Sequence, residues 1–342
     1  MRHQAIFAVV VAGNDITLRI QDIVQSITVS DKAGTTADTA TIVLDDSAGN
    51  LIFPSYSAPI EIFLGFRGTG ISSVFIGTVD EVRQSGGRGG QTITITAKGI
   101  DTSGKAKESQ QRHFDNMTIE DMLKAAGAYA GVTDIRVDQD LATITRKYEH
   151  MDDESFVAFG ERIAKEIGGT FKMRNGVAVL AKKNSARTPS GEPLPPVFAV
   201  RGENLHTWDI APYIGRPRYK RIIVRFYDAR KAKHDKVVVD TEVEGSDAIA
   251  IGTFRAPNKE TAKEKANALK AESERGSGVG SVIIEGNANA QPEAICNIVS
   301  SREGIDGAYV IDGVDHKYSR GAGFVTKLTL AYPTSKRNEK LP

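Results

Sequence analysis

Apolar residues recur at every second position through most of the first hundred residues. Ile60, Ile62, Leu64 and Phe66 alternate, as do Ala40, Ile42 and Leu44, and Ile93, Ile95 and Ala97. A period of two places one face of an extended strand in a core. Gly, Asn, Asp and Ser separate the runs, and many short strands at this spacing predict a sandwich or barrel. At the start, Phe7, Val9 and Val11 alternate, and Gly13-Asn14-Asp15 turns the chain into Ile16, Leu18 and Ile20. That pattern predicts a β-hairpin. A signal peptide is the competing reading, but the apolar run is short and no strong cleavage site follows.

The period changes after Gly99. Thr118 is a good N-cap with Asp121 at the third helical position, and Ile119, Met122, Leu123 and Ala126 follow at helical spacing. This predicts a helix near 118–128, ending near Gly127 or Gly131. Phe156, Phe159, Ile163 and Ile167 form a second apolar stripe, predicting a helix near 153–167 that Gly168-Gly169 stops. Asp152, Asp153 and Glu154, beside His150, read as that helix's start, where carboxylates meet unpaired backbone N–H groups. A catalytic or metal cluster is the alternative. Phe171 and Met173 lead into Asn175-Gly176, a hairpin signal, with Val177 and Val179 returning. Lys182 to Pro196 has linker composition, and strands resume from Tyr219 to Tyr227. After Pro257-Asn258, Ala262, Ala266 and Leu269 line one face of a charged helix closed by Gly276. Ser281 to Tyr332 is again strand-rich.

Two segments overlay without a gap. Ile60 falls on Ile295, Leu64 on Val299, Phe75 on Val310, Ile76 on Ile311, Val79 on Val314, Asp80 on Asp315, Gly86 on Gly321, and Ile93 to Ile95 on Leu328 to Leu330. Chance likeness between strands competes with this reading. The unbroken register favours two copies of one β-domain around an α/β middle, because a one-residue slip reverses the faces of a strand.

Composition narrows the functional classes. Lys plus Arg number 44 against 43 Asp plus Glu, a net charge of +1. That balance argues against a dedicated nucleic-acid binder. The single Cys296 cannot form an intramolecular disulfide, and no apolar run approaches the roughly 18 residues that span a bilayer. The histidines His3, His113, His150, His206, His234 and His316 form no HExxH motif, and none has zinc-like spacing to Cys296. There is no GxSxG elbow. Gly276 to Gly280 lacks a Walker lysine and precedes a strand, so helix stop and connector outweigh a phosphate loop; Gly65 to Gly70 is similarly weak. Arg216-Pro217-Arg218-Tyr219-Lys220-Arg221, with Arg225, Arg230, Lys231, Lys233 and Lys236 following, is basic with interleaved tyrosines. A nucleic-acid surface is one reading; a solvated or subunit-facing strand face is the other. No catalytic, cofactor-binding or metal-binding residue is assigned.

Phe75-Ile76-Gly77-Thr78-Val79-Asp80-Glu81-Val82, followed by Thr92 to Gly99, resembles the phage late control protein D family, the baseplate hub proteins of contractile tails. So do Lys105-Ala106-Lys107 before Met117 to Leu123, Glu154-Ser155 with Phe159, Arg162-Ile163-Ala164 and Gly168, and Ala266 to Leu269. Gly307 to Ile311, Val314-Asp315-His316 and Gly323 to Leu328 resemble its closing hairpin. The resemblance runs from Val74 to Tyr332. Phe156 departs from it, since the family often has Asp after the serine.

The resemblance implies an α+β, mainly β fold, with two tail-tube-like antiparallel β-barrel domains and an α/β middle domain. It divides the chain into a first barrel (1–100), an α+β middle domain (101–188), and a second barrel (189–228 with 281–333). An inserted helical segment (229–280) packs with the middle domain, and 334–342 form a flexible tail. It implies a homotrimer whose six barrels adapt a six-fold tail tube to a three-fold spike and surround a channel for DNA. Expected partners are the chain itself, a trimeric spike, the tube protein and other baseplate proteins, with DNA only in transit. No cofactor, enzymatic activity or membrane insertion is expected. The expected location is the virion tail baseplate, assembled in the bacterial host cytoplasm. Related N-terminal modules occur in the valine-glycine-repeat spike proteins of type VI secretion. The alternatives are therefore a hub module of a related contractile injection or secretion system, a tail-tip cell-wall hydrolase using Asp152 and Glu161, and a monomeric carbohydrate-binding β-domain.

Overall fold

Alternation at Phe7 and Val9 builds β1 (Ala5–Val11), which returns only as the two-residue β2 (Asn14–Asp15). Ile16, Leu18 and Ile20 do not continue the hairpin. Thr17 Oγ1 accepts from the Val9 N–H, and the chain closes one helical turn, α1 (Thr17–Ile20). The alternating runs then give β3 (Val24–Lys32), β4 (Thr39–Asp45), β5 (Pro59–Phe66), β6 (Gly70–Gly87) and β7 (Gly90–Lys98). A short 3-10 turn at Lys105–Lys107 precedes β8 (Ser109–Thr118), α2 (Ile119–Tyr129), β9 (Asp134–Val137), α3 (Gln139–Ala142) and β10 (Thr145–Ser155). Next come α4 (Phe156–Ile167), β11 (Gly169–Arg174), β12 (Val177–Lys182), β13 (Val197–Val200) and β14 (Leu205–Ile210). The last elements are β15 (Arg221–Asp228), β16 (Lys233–Asp240), β17 (Ile249–Ile251), α5 (Lys259–Arg275), β18 (Gly280–Glu285), β19 (Ile295–Val299), β20 (Gly307–Ser319) and β21 (Gly323–Ala331). This computed structural model describes residues 4–34, 37–99, 104–174, 176–183, 185–211, 219–228, 231–241, 247–253, 255–275 and 279–331. His3, Asn175, Arg216 to Arg218, Arg230, Gly276 to Gly278 and the 334–342 tail lie outside those residues.

Helices α2 and α4 start and stop as their sequences require. Thr118 accepts from the Asp121 N–H and Ser155 from the Ala158 N–H, and Gly168 closes α4 in the left-handed region at φ 76°. Gly131, at φ 75°, follows α2, whereas Gly127 lies buried inside it. The helix near 153–167 begins later than expected. Asp152, Asp153 and Glu154 belong to β10, and the pairing of β10 with β8 is irregular between Met151 and Glu154. Asp152 and Glu161 therefore do not share a helix.

One 13-stranded sheet runs in the order β14-β18-β21-β20-β3-β4-β7-β6-β5-β1-β2, with β19 and β13 attached at β20. Its two halves repeat the same succession: β3-β4-β7-β6-β5 in one and β14-β18-β21-β20-β19 in the other. The irregularities repeat as well. The β3/β4 register slips between Val24 and Ser26, and the β14/β18 register between Leu205 and Thr207. The β6/β7 register slips between Val79 and Glu81, and the β20/β21 register between Ile311 and Gly313. Val79 exchanges backbone hydrogen bonds with Ser57 and Ala58, as Ile311 does with Glu293 and Ala294. Ser57 and Glu293 share the left-handed conformation, φ 57° and 69°. Bulges are local features that fix register, so their coincidence sets the correspondence. Val79 thus corresponds to Ile311 and Val82 to Val314. The gapless overlay paired the right strands but was three residues out on β6, because each strand shifts by its own amount.

The remaining sheets are β10-β8, β11-β12-β9 and β16-β15-β17. Arg221–Asp228, expected in the second barrel, instead pairs with β16 and β17 and packs Ile222, Val224 and Phe226 against Ala262 and Ala266 of α5. The middle core joins α2, α4 and β11 through Ile119, Met122, Phe156, Phe159, Ile163 and Phe171. The Phe156 and Phe171 rings meet edge to face at 5.6 Å. α4 approaches β11 so closely that a Cβ on Gly160 would stand 2.6 Å from the Phe171 ring. Gly160→Val is expected to lower stability by roughly 1–3 kcal/mol through overpacking. Urea unfolding checks this; an unchanged midpoint would contradict the packing.

Candidate functional site

The two halves of the large sheet meet at a seam between β20 and β3. β20 pairs antiparallel with β3 from Gly313↔Lys32 to Ser319↔Ser26. The Ala33 N–H bonds to the Asp312 carbonyl, and Ser30 Oγ donates to Asp315 Oδ1 at 2.6 Å. Side chains from the second half enter the first core across this seam. Phe324 is buried among Ile27, Val29 and Leu64, 5.6 Å from Phe66 and 5.8 Å from His316; Tyr318 meets Phe7 at 4.9 Å. His316 is 3% exposed and its Nδ1 lies 3.1 Å from Thr326 Oγ1, which makes it a structural polar residue.

A lysine clamps the middle domain onto the seam. Lys172 on β11 reaches both Asp31 of β3 and Asp38, the latter at 2.6 Å. Burial alone would lower its pKa, but the two carboxylates outweigh it and hold the ammonium above its ordinary value. Alternation between Phe171 and Met173 gave Lys172 only a face, not a partner.

A second network ties α4 and β10 to α5. Arg162 donates to Glu149 at 2.8 Å, to Glu154 at 2.7 and 2.9 Å, and to the His150 carbonyl at 2.7 Å. Arg146, 4% exposed, pairs with Glu264 of α5 and stands 3.8 Å from Glu149 and 4.0 Å from Glu166, while Lys265 reaches Glu166 at 3.0 Å. Burial pulls the Arg162 pKa down, and Glu154 and Glu149 more than reverse it, leaving the guanidinium raised. Glu154 is thus an ion-pair partner. Asp153 occupies a left-handed conformation, φ 52°, and accepts from Gln111 at 3.0 Å.

The other candidates do not converge. Glu161 is held above the ordinary carboxylate range by burial, but Asp152 is exposed on another element. His113 and Asp115 are 3.9 Å apart on an exposed strand, His150 stacks on Tyr148, and His234 meets the Tyr227 ring edge-on at 5.4 Å. Among the described residues no three His, Cys, Asp or Glu side chains are placed to hold a metal. No described helix is long and apolar enough to cross a membrane. Cys296 is buried, and burial pushes its thiol up to about 12. Lys220 and Arg221 of the basic stretch pair with Asp247 at 3.7 Å and Asp240 at 2.8 Å.

Comparison with known proteins sets this arrangement in a family. The sequence profile described as "Phage tail baseplate hub (GPD)" matches residues 55–322. A curated relative, the probable baseplate hub protein of Escherichia phage 186, is 26% identical over 231 residues, 67% of this chain and 58% of its own length. This chain therefore spans little more than half of that relative. The 43 kDa tail protein of prophage MuSo2 from Shewanella oneidensis superposes with a TM-score of 0.72 at 15% identity, covering 96% of this chain and 99% of the other. An E. coli component of the type VI secretion system gives a TM-score of 0.54 at 10% identity, covering 94% and 76%. These likenesses give the fold: α+β, mainly β, with two tail-tube-like antiparallel β-barrel domains and an α/β middle.

Lys172→Met leaves Asp31 and Asp38 facing each other without their cation. It is expected to cost about 3–5 kcal/mol, with Asp38→Asn restoring part of the loss. The Lys172 pKa is raised on folding, so its contribution is complete below its ordinary 10.5 and lost as pH rises through the higher folded value. The difference between wild type and variant in urea should be flat from about pH 6 to about pH 9. A thiol reagent at about pH 8 should label Cys296 only after unfolding.

Proposed function

The chain belongs to the phage tail baseplate hub family, and on that premise we propose that it assembles as a homotrimer at the centre of a contractile tail baseplate. Each chain carries two related barrels, so three chains present six. A three-fold spike on one side and a six-fold tube on the other can then be joined by one ring around a channel that DNA crosses. The observation that carries this reading is the duplicated strand succession, with its register slips and left-handed residues at matching places. Two units related this closely can meet quasi-equivalent neighbours in a closed ring.

The partners in this reading are further copies of the chain, a trimeric spike, the tube protein and other baseplate proteins, in the virion tail and during assembly in the host cytoplasm. The domain division is a first barrel (1–100), a middle domain (101–188), a second barrel and an inserted helical segment. Arg221–Asp228 goes with that insert, which the Arg146 network ties to the middle domain. The role is structural and needs no catalytic residue or cofactor. The separation of Asp152 from Glu161 supports this over a cell-wall hydrolase, which would need a convergent pair. The likeness to the type VI component supports a second setting for the same hub, in a related injection or secretion system.

Native mass spectrometry of the purified chain with its spike is expected to give three copies. Cryo-EM should show three-fold particles with a central channel. A monomer, with or without the spike, overturns the reading.

A further inference from the structure

The seam inside one chain shows how one barrel docks on the next, and each chain carries a second copy of the same two edges, unpaired among the described residues. In the seam, the outer edge of β3 pairs with the distal half of β20. The strand corresponding to β3 is β14, which ends the sheet path with no strand on its outer edge at Thr207 to Ile210 among the described residues. The strand corresponding to β20 is β6. Its distal half, Glu81 to Gly87, pairs only with β7 among the described residues, and all of it but Val82 is exposed. Open strand edges of this kind recruit another strand.

We propose that the occupant of the β14 edge is the distal half of β6 from a second copy of this chain, joined in the register of the internal seam. The assignment rests on the multimeric hub reading above and names its interface. The coincident bulges carry Ser26 onto Thr207, Ile27 onto Trp208 and Thr28 onto Asp209. They likewise carry Lys317 onto Ser85, Tyr318 onto Gly86 and Ser319 onto Gly87. Antiparallel pairing then sets Thr207 opposite Gly87, Trp208 opposite Gly86, Asp209 opposite Ser85 and Ile210 opposite Gln84.

The side chains fit this joint. In the internal seam the core-facing pair is Ile27 with Tyr318, and Ile27 is fully buried. In the open copy the larger partner changes sides: Trp208 is 36% exposed, and glycine stands opposite it. The Arg201 guanidinium lies over its ring at 5.5 Å, yet the indole stays partly open where its counterpart is buried, and Gly86 leaves room for it. On the outer face Asp209 lies diagonal to Arg83, within reach of an opposite-charge cross-strand pair. Donor and acceptor edges are different surfaces of one chain, so the contact is head-to-tail, the kind that a closed ring of the hub reading requires.

Disulfide trapping tests the register. Backbone bonds from Ala33 to Asp312 and from Arg320 to Gln25 make odd-numbered β3 positions the hydrogen-bonded pairs. Asp209 and Ser85 therefore form a non-hydrogen-bonded pair, where Cα atoms approach to about 4.5 Å and a disulfide can close. Ser85→Cys combined with Asp209→Cys should give covalent multimers on oxidation. Each single variant, and Gln84→Cys with Asp209→Cys, whose side chains point to opposite faces, should not. Trp208 is the single tryptophan of the chain. The emission of the unmodified protein should therefore move to shorter wavelength as native mass rises. A multimer with no trapped species and unchanged emission overturns this interface and leaves the trimer standing. A monomer at every concentration, with or without spike, overturns both.

Discussion

An extended strand exposes a row of amides and carbonyls along each edge, and a long sheet must pair or cover them. The β3/β20 seam does this within the chain, and most of the architecture follows from it. By joining the edges of two barrels it merges them into one sheet. It delivers Phe324 and Tyr318 into the first core and presents Asp31 to Lys172. Without the seam, the first core would lose Phe324 and the middle domain would lose one anchor.

Charge and packing divide the remaining work. Apolar clusters hold each part together, whereas the middle domain reaches its neighbours through ion pairs: Lys172 to the first barrel, Arg146 and Glu166 to the helical insert. Desolvating such groups offsets much of their Coulombic gain, so a buried ion pair contributes little net stability. What it supplies is geometry, because Arg146 has Glu149, Glu166 and Glu264 within 4.0 Å only in one relative placement of β10, α4 and α5. That suits a part that must hold its neighbours at a set angle.

Sequence periodicity was most informative where one local rule acts alone. Thr118, Ser155 and Gly168 mark helix ends by backbone chemistry, and Phe156, Phe159 and Ile163 mark a buried stripe. It misled where two periods coincide: Ile16, Leu18 and Ile20 alternate, yet Thr17 bonding to Val9 turns them into a helical turn. Asp152 to Glu154 read as a helix start because their acidity suits one, while their places are set by the bulge against β8 and by Arg162 farther along α4. The duplication was visible as paired strands, but its register depended on bulges that leave no compositional mark. Lys172, Asp31 and Asp38 carried no signal at all, since a clamp between domains exists only after folding.

The seam also has a mechanical direction. Antiparallel hydrogen bonds lie perpendicular to their strands. A thrust along the strands loads every pair from Gly313↔Lys32 to Ser319↔Ser26 at once, in shear. A pull that peels the two strands apart from one end breaks the same bonds one after another, like a zipper. The joint is therefore stiff to force along its strands and weak to force that opens it from one end.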